Sequence, residues 1–328
     1  MRLNELGAGV RAPGRRSALL ALAGSVVAGL TNVGCATFNY EQDDAPTSED
    51  PVSRSDPSPR IALVLGSGGP RGYAHIGVLK VLAEAGVVPD LIAGSSVGAL
   101  IGVFWASGLN AMQIDQVSMQ GGPLTVFDPS VFADRGWIKG DRLQAFVNQG
   151  VRGVSLDRMP RRAIVVATRR EDKRPIFFTR GNAGVAVRAS GAMPGIISPV
   201  GIHGVEYEDG DVSMPVPVSP ALAAGARFVI AVDVSARAGT TPGHAPQPWR
   251  ERDRLRQARI APEVIKADFL IHPDLDYWTR PSRSYFVDCR ARGEAYARSL
   301  LPELTRALDM RLGTGWRVGP ATQLEKTA

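Results

Sequence analysis

Cysteine is almost missing from this 328-residue chain, with Cys35 and Cys289 its two thiols. One pair cannot make the disulfide framework of a small secreted module or a thiolate metal cluster, so both classes fall away. Nucleotide signatures are missing as well. A dinucleotide fingerprint starting at Gly66 requires glycine at position 71 and meets Arg71, and the Gly-Lys-Ser/Thr end of a P-loop does not follow. Aromatic residues are only 6% of the chain, and its arginines are dispersed in short pairs such as Arg161-Arg162 and Arg169-Arg170. The net charge of +6 therefore reads as solvated surface attractive to anionic lipid. It does not read as a nucleic-acid groove, which needs a basic stripe interleaved with aromatics. Beyond residue 60 there is no internal repeat and no low-complexity tract.

What is present is globular in proportion. Hydrophobic residues make 44% and charged residues 21%, enough to bury a sizeable core in one large domain or two ordinary ones. Residues 1–34 stand apart as an export signal: Arg11, Arg15 and Arg16 precede the apolar stretch SALLALAGSVVAGL, and small residues lead to Cys35. The stretch NVGCA resembles a lipoprotein processing box, with Asn32 where such boxes carry Leu. It points to acylation of Cys35 and to an exported protein anchored in the bacterial cell envelope, facing the periplasm or on the outer membrane. The competing reading is an uncleaved anchor, since the 24 residues from Ser17 to Tyr40 carry no charge. Residues 35–59, rich in acid, Pro and Ser, lack the apolar surface that offsets ordering entropy and are expected to form a disordered tether.

From Arg60 the pattern changes. Ile61 to Leu65 is a continuous apolar run, followed by a glycine-rich turn and then by Ile76, Leu79 and Leu82 at helical spacing as far as Gly86. PDLIAGSSVGALIGVFWASG repeats the order of strand, turn and helix, with Gly108 as its stop. AIVVAT and RFVIAVDVS add short β-branched runs of the kind buried in a sheet that helices cover. The class is α/β.

Ser96 sits at the centre of GSSVG, with Gly94 and Gly98 two positions to either side. A serine on a sharp strand-to-helix turn needs neighbours without Cβ atoms, and a helix starting near Val97 aims its positive end at the same point. The glycine-rich turn after Leu65 offers unpaired amides at a second such junction. They would cradle an anion or, with a nucleophile nearby, the oxyanion of acyl transfer. The bland alternative for either glycine set is a tight turn with no chemistry. A serine hydroxyl also needs a base. Ser96, Asp233 and His272 run in the order of an α/β-hydrolase triad, whereas Asp209, followed by Gly210 in YEDGD, offers a carboxylate instead. His75 reads as a packed or capping helix residue and His244 as part of a Pro/Gly loop.

These blocks together resemble the bacterial patatin-like phospholipases. LGSGGPRGYAHIGVL is similar to that family's oxyanion loop with its arginine, GSSVGAL to its nucleophile elbow and YEDGD to its Asp-Gly-Gly motif. AVRASGAMPGIISPV resembles the segment that precedes the family's catalytic aspartate. The likeness covers about 60–235, with 262–312 as a carboxyl-terminal completion, so that 60–312 forms the catalytic domain and 313–328 a frayed tail.

The resemblance implies a three-layer α/β/α fold with a central, mostly parallel sheet and a Ser-Asp dyad. Ser96 matches the nucleophile and Asp209 the base. Ser67, Gly68, Gly69 and Arg71 fall on the oxyanion loop, with Gly68 and Gly69 as the amide donors, and Gly72, Gly94, Gly98 and Gly210 are the motif glycines. No metal or organic cofactor is implied, and the substrate is an acyl lipid, phospholipid above neutral ester, met at a membrane surface. Asp211 departs from the family pattern at the second glycine of Asp-Gly-Gly, and Met214-Pro215 stands where many members carry Asn before a Pro-Val pair. Asp211 either raises the pKa of Asp209 by like-charge repulsion or points into solvent. A His272 triad esterase and a catalytically silent, membrane-tethered lipid-binding protein are the rival readings. Residues 238–263, a Pro/Gly loop and then a basic helical stretch, read as an exposed connection in preference to a lid or a membrane-facing surface.

Overall fold

The computed structural model describes residues 38–48, 60–120 and 126–317. The export signal, Cys35 and the last part of the expected tail lie outside the described residues. Two short strands, β1 (Asn39–Tyr40) and β2 (Thr47–Ser48), come first. β3 (Ile61–Leu65), α1 (Tyr73–Glu84), β4 (Leu91–Ser95) and α2 (Val97–Ala106) follow, which are the two strand-turn-helix units that the apolar runs predict. Gly86 and Gly108, at φ 72° and 99°, end the helices in left-handed backbone. α3 (Ala111–Met119) opens on a reciprocal capping box between Asn110 and Gln113. Then come α4 (Asp141–Gly150), β5 (Arg162–Arg169), β6 (Pro175–Arg180), α5 (Ala183–Ser190), β7 (Val200–Ile202) and β8 (Val205–Asp209). The remaining elements are α6 (Val218–Ala223), β9 (Phe228–Val232), α7 (Gln247–Val264), β10 (Phe269–Ile271) and α8 (Arg283–Leu312).

The strands join into one sheet. Followed through hydrogen-bonded neighbours its order is β1-β7-β8-β5-β4-β3-β9-β10, with β6 bonded to β5 and β2. The centre, β5-β4-β3-β9-β10, is parallel throughout, and antiparallel pairs are confined to the side holding β2, β6, β7 and β8. Side chains alternate between two cores. Ile61, Leu63 and Leu65 join Phe228, Ile230 and Val232 beneath α1, α2 and α8, while Ala62, Val64, Val229 and Ala231 meet Val218, Ala221 and Ile260 of α6 and α7. Helices cover both faces, which gives the three-layer α/β/α arrangement and explains why the central strands read as unbroken apolar runs. α1 and α8 approach backbone to backbone: a Cβ on Gly77 would stand 2.1 Å from the Arg290 carbonyl oxygen.

The structure corrects the tether at 38–48. β1 pairs with β7 and β2 with β6, Ala45 is buried, and the Phe38 ring lies 3.7 Å under the Arg188 guanidinium. Composition misses this because a sheet edge offers unpaired main-chain groups to any segment, however polar its side chains. The tail is corrected likewise over its first turn, Thr314–Arg317. Trp316 is buried there and its Nε1 donates to Asp309 over 2.6 Å. No helix among the described residues is long and apolar enough to cross a membrane.

Candidate active site

One strand brings the serine and the aspartate together. β4 runs parallel to β5 until Ser95 faces Val166, and β8 runs antiparallel to β5 until Asp209 faces Ala167. Because β6 occupies the opposite edge of β5, the carboxyl ends of β4 and β8 abut on neighbouring positions of a single edge. Ser96, the residue after β4, thereby meets the last residue of β8. Its Oγ donates to Asp209 Oδ2 over 2.9 Å, across a sequence separation of 113.

The turn that carries Ser96 is crowded and bent. Ser96 adopts φ 55° and ψ −122°, a conformation costly for a residue with a Cβ and held here by its surroundings. A Cβ on Gly94 would lie 2.5 Å from the Gly98 carbonyl oxygen, and one on Gly98 would lie 2.0 Å from that of Leu65. Both glycines are steric necessities of the turn. The Ser96 amide donates to Ser190 Oγ over 2.9 Å, so α5 supports the elbow from below. Gly72 and Gly210 serve close contacts of the same kind, against Val97 Cγ2 (2.2 Å) and the Val166 carbonyl oxygen (2.4 Å).

The glycine-rich loop divides its labour. The amides of Gly68 and Gly69 have no carbonyl partner among the described residues, whereas the Ser67 amide donates to the Pro215 carbonyl over 2.9 Å. Arg71 turns its side chain to the chain ahead of α8, donating from Nε to the Asp276 carbonyl (2.9 Å) and from Nη2 to that of Tyr277. Ser67 and Arg71 therefore belong to the loop as braces, and the open donors are the two glycines.

Asp209 is buried, with its backbone N–H donating to the Ala192 carbonyl over 3.0 Å. Burial, reinforced by the Asp211 carboxylate, pushes its pKa up to about 7; the Asp211 N–H, the Ser96 hydroxyl and Arg256 pull the other way. Asp211 does not simply point into solvent. It accepts from Arg256 Nε (2.7 Å) and from Ser67 Oγ, and Arg256 also donates to Ser67 Oγ over 2.8 Å. The departure from Asp-Gly-Gly is thus matched by a cation from α7.

A cavity of about 900 Å³ opens above the pair and takes in Gly68, Gly69, Ser96 and Asp209. α7 and the loop before α8 supply Trp249, Arg256 and Trp278 to its wall, which corrects the reading of 238–263 as a mere connection. The sequence offered a basic helical stretch but no sign of its partner, because Asp211 lies 45 residues from Arg256. The histidines stand elsewhere. His272 Nε2 is 3.1 Å from the Ser235 carbonyl oxygen and 3.7 Å from Asp233, leaving Asp209 as the partner of the serine. His75 is fully buried and held neutral, its pKa pushed down to about 4 by burial, with Nε2 on the Gly66 carbonyl (2.8 Å).

Residues 63–222, just under half of the chain, match the family model described as patatin-like phospholipase. An uncharacterized NTE family protein of Mycobacterium tuberculosis is 37% identical over 188 residues, 56% of this chain and 51% of that protein. The chain spans about half the length of such curated relatives. Lysophospholipase NTE1 of Mycosarcoma maydis is 34% identical over 199 residues, 56% of this chain and 10% of that protein. Among solved structures, VipD from Legionella pneumophila superposes with a TM-score of 0.48 at 12% identity, covering 85% of this chain and 73% of its own.

Proposed function

We propose that the protein is a serine hydrolase of lipid acyl esters, with phospholipid as the substrate class, working through Ser96 and Asp209. The observation that carries the reading is the 2.9 Å hydrogen bond from Ser96 Oγ to a buried carboxylate, made on the wall of a cavity that the open Gly68 and Gly69 amides share. Asp209 accepts the serine proton as Oγ attacks the ester carbonyl. The two glycine amides stabilise the oxyanion, the alcohol leaves with a proton returned from Asp209, and water then releases the acyl group by the same steps. A base with a pKa near 7 is suited to this exchange at neutral pH. The family description and the lysophospholipase activity named for the fungal relatives support lipid as the acyl donor. A cavity of about 900 Å³ has the capacity for an acyl chain. Acylation of Cys35 would hold the domain at the cell envelope, a part of the proposal that rests on NVGCA and that lipid labelling lost in Cys35→Ala would test.

The test of function is direct. Purified protein incubated with mixed lipids releases free fatty acids detectable by mass spectrometry, and Ser96→Ala releases none. Equal release from both proteins contradicts the proposal, as does no release from a folded parent.

A further inference from the structure

Three of the most exposed large apolar side chains among the described residues stand together on one loop next to this cavity. Residues 129–138 form a loop clasped at its base, where the Ser130 amide donates to the Trp137 carbonyl over 2.9 Å and Pro129 bridges Ile138. On it Val131, Phe132 and Trp137 are 94%, 84% and 76% exposed, far beyond the isolated apolar contact that surfaces tolerate. The acids nearby are hydrogen-bonded or ion-paired. Asp128 accepts from the amides of Gly140 and Asp141 (2.7 and 2.9 Å), and Asp134 pairs with Arg135, which Glu206 also holds. The loop tip therefore presents hydrocarbon, and its one carboxylate, Asp134, is ion-paired with Arg135.

Its position is fixed relative to the site. The amides of Trp137 and Ile138 both donate to the Ile196 carbonyl, over 2.8 and 3.0 Å, and Ile196 with Met193 lines the cavity mouth. α7 contributes Trp249, Arg250 and Arg259 to the lining of the same cavity; both arginines are exposed, and neither has a carboxylate partner among the described residues. The first described residue, Phe38, is anchored next to the same loop, since the Arg188 above its ring donates to the Lys139 carbonyl over 2.7 Å.

We propose that this loop and the α7 arginines form a docking face for an anionic lipid layer. Val131, Phe132 and Trp137 enter its acyl region, and Arg250 and Arg259 meet its phosphates. The cavity mouth then opens onto the layer. A protruding apolar tip with unpaired arginines at the same cavity fits a lipid surface better than a protein partner, whose binding patch buries most stably when flat and closely packed. The inference rests on the proposed acyl-hydrolase reading for what enters the cavity, but the binding itself does not depend on turnover.

The experiment uses the full chain carrying Ser96→Ala and vesicles of phosphatidylglycerol and phosphatidylcholine whose acyl chains are brominated. Tryptophan emission is quenched on binding, and the quenched fraction falls in the same chain with Trp137→Phe, because the bromines lie where the indole sits. This difference reads the loop even if another segment also holds the chain to the vesicle. Unquenched Trp137 in vesicle-bound protein overturns the proposal. So does light scattering that shows a dimer which Phe132→Ser/Trp137→Ser converts to a monomer, since a second copy would then be the occupant. In active protein, Phe132→Ser/Trp137→Ser slows hydrolysis of vesicle lipid tenfold or more while a water-soluble nitrophenyl ester is cleaved at the parental rate and the melting curve is unchanged. Parent protein that fails on the nitrophenyl ester, yet shows Trp137 quenching, sinks the hydrolase reading and leaves the docking face standing.

Discussion

At the residue scale the proposed chemistry depends on Asp209 being ionised in a buried site. With its pKa pushed up to about 7 by burial and by Asp211, kcat/KM rises with pH through about 7. In Asp211→Asn the like charge is gone while the acceptor for Ser67 Oγ remains, and Arg256 is freed to favour the ionised base. The acid limb then moves to lower pH, and a limb that stays in place or moves up contradicts the assignment. Asp209→Asn, which keeps the shape and loses the base, lowers kcat by about 10³-fold, whereas His272→Ala leaves it within the same order. The linked stability has a defined sign. A native pKa above the ordinary carboxylate value of 3.8 means that the native state holds more protons than the unfolded chain between roughly pH 4 and 7, so this group's contribution to stability falls as pH rises through that window. The melting temperature of Asp209→Asn relative to the parent accordingly climbs from pH 5 to pH 8. Ser96 and Asp209 were legible in the sequence because each stands in a short motif whose glycines have steric work to do. Arg256 was not, because a cation announces no partner until the fold brings a carboxylate to it.

At the scale of elements, the apolar runs foretold β3, β4, β5 and β9, and the glycine stops foretold the ends of α1 and α2. The junction of β4 and β8 on one edge of β5 was hidden. Register between strands so far apart in sequence is set by tertiary packing, and no local pattern reports it. The elbow itself is testable as an element. Gly98→Ala drives a Cβ to 2.0 Å from the Leu65 carbonyl oxygen, so β3 and α2 must separate. Stability falls by about 1–3 kcal/mol or more, and turnover falls with the displaced serine. Thermal melts and ester hydrolysis on one preparation read both effects, and a fully stable, fully active variant would show that the close contact is dispensable. The role of α7 was the larger omission, since its basic sequence describes an exposed helix equally well whether or not one of its arginines reaches into a site.

On the scale of the whole molecule, the domain begins earlier than composition suggests, because polar residues 38–48 complete an open sheet edge. Asp44 shows the linkage. It accepts from Tyr40 Oη (2.6 Å) and from Asn182 Nδ2 (2.8 Å), at the start of α5. Asp44→Ala costs about 1 kcal/mol per hydrogen bond lost, read as a lower melting temperature, and an unchanged melt would return the segment to a free tether. The same edge leads to α5, whose Ser190 supports the Ser96 amide, so the amino-terminal strand and the elbow belong to one packed unit. The measurement closest to the heart of the account is covalent labelling of the folded protein by a fluorophosphonate, followed by peptide mapping. Modification of Ser96 alone, absent in Ser96→Ala and strongly slowed in Asp209→Asn, is the predicted result; labelling at another serine, or at Ser96 with undiminished rate in Asp209→Asn, would contradict it.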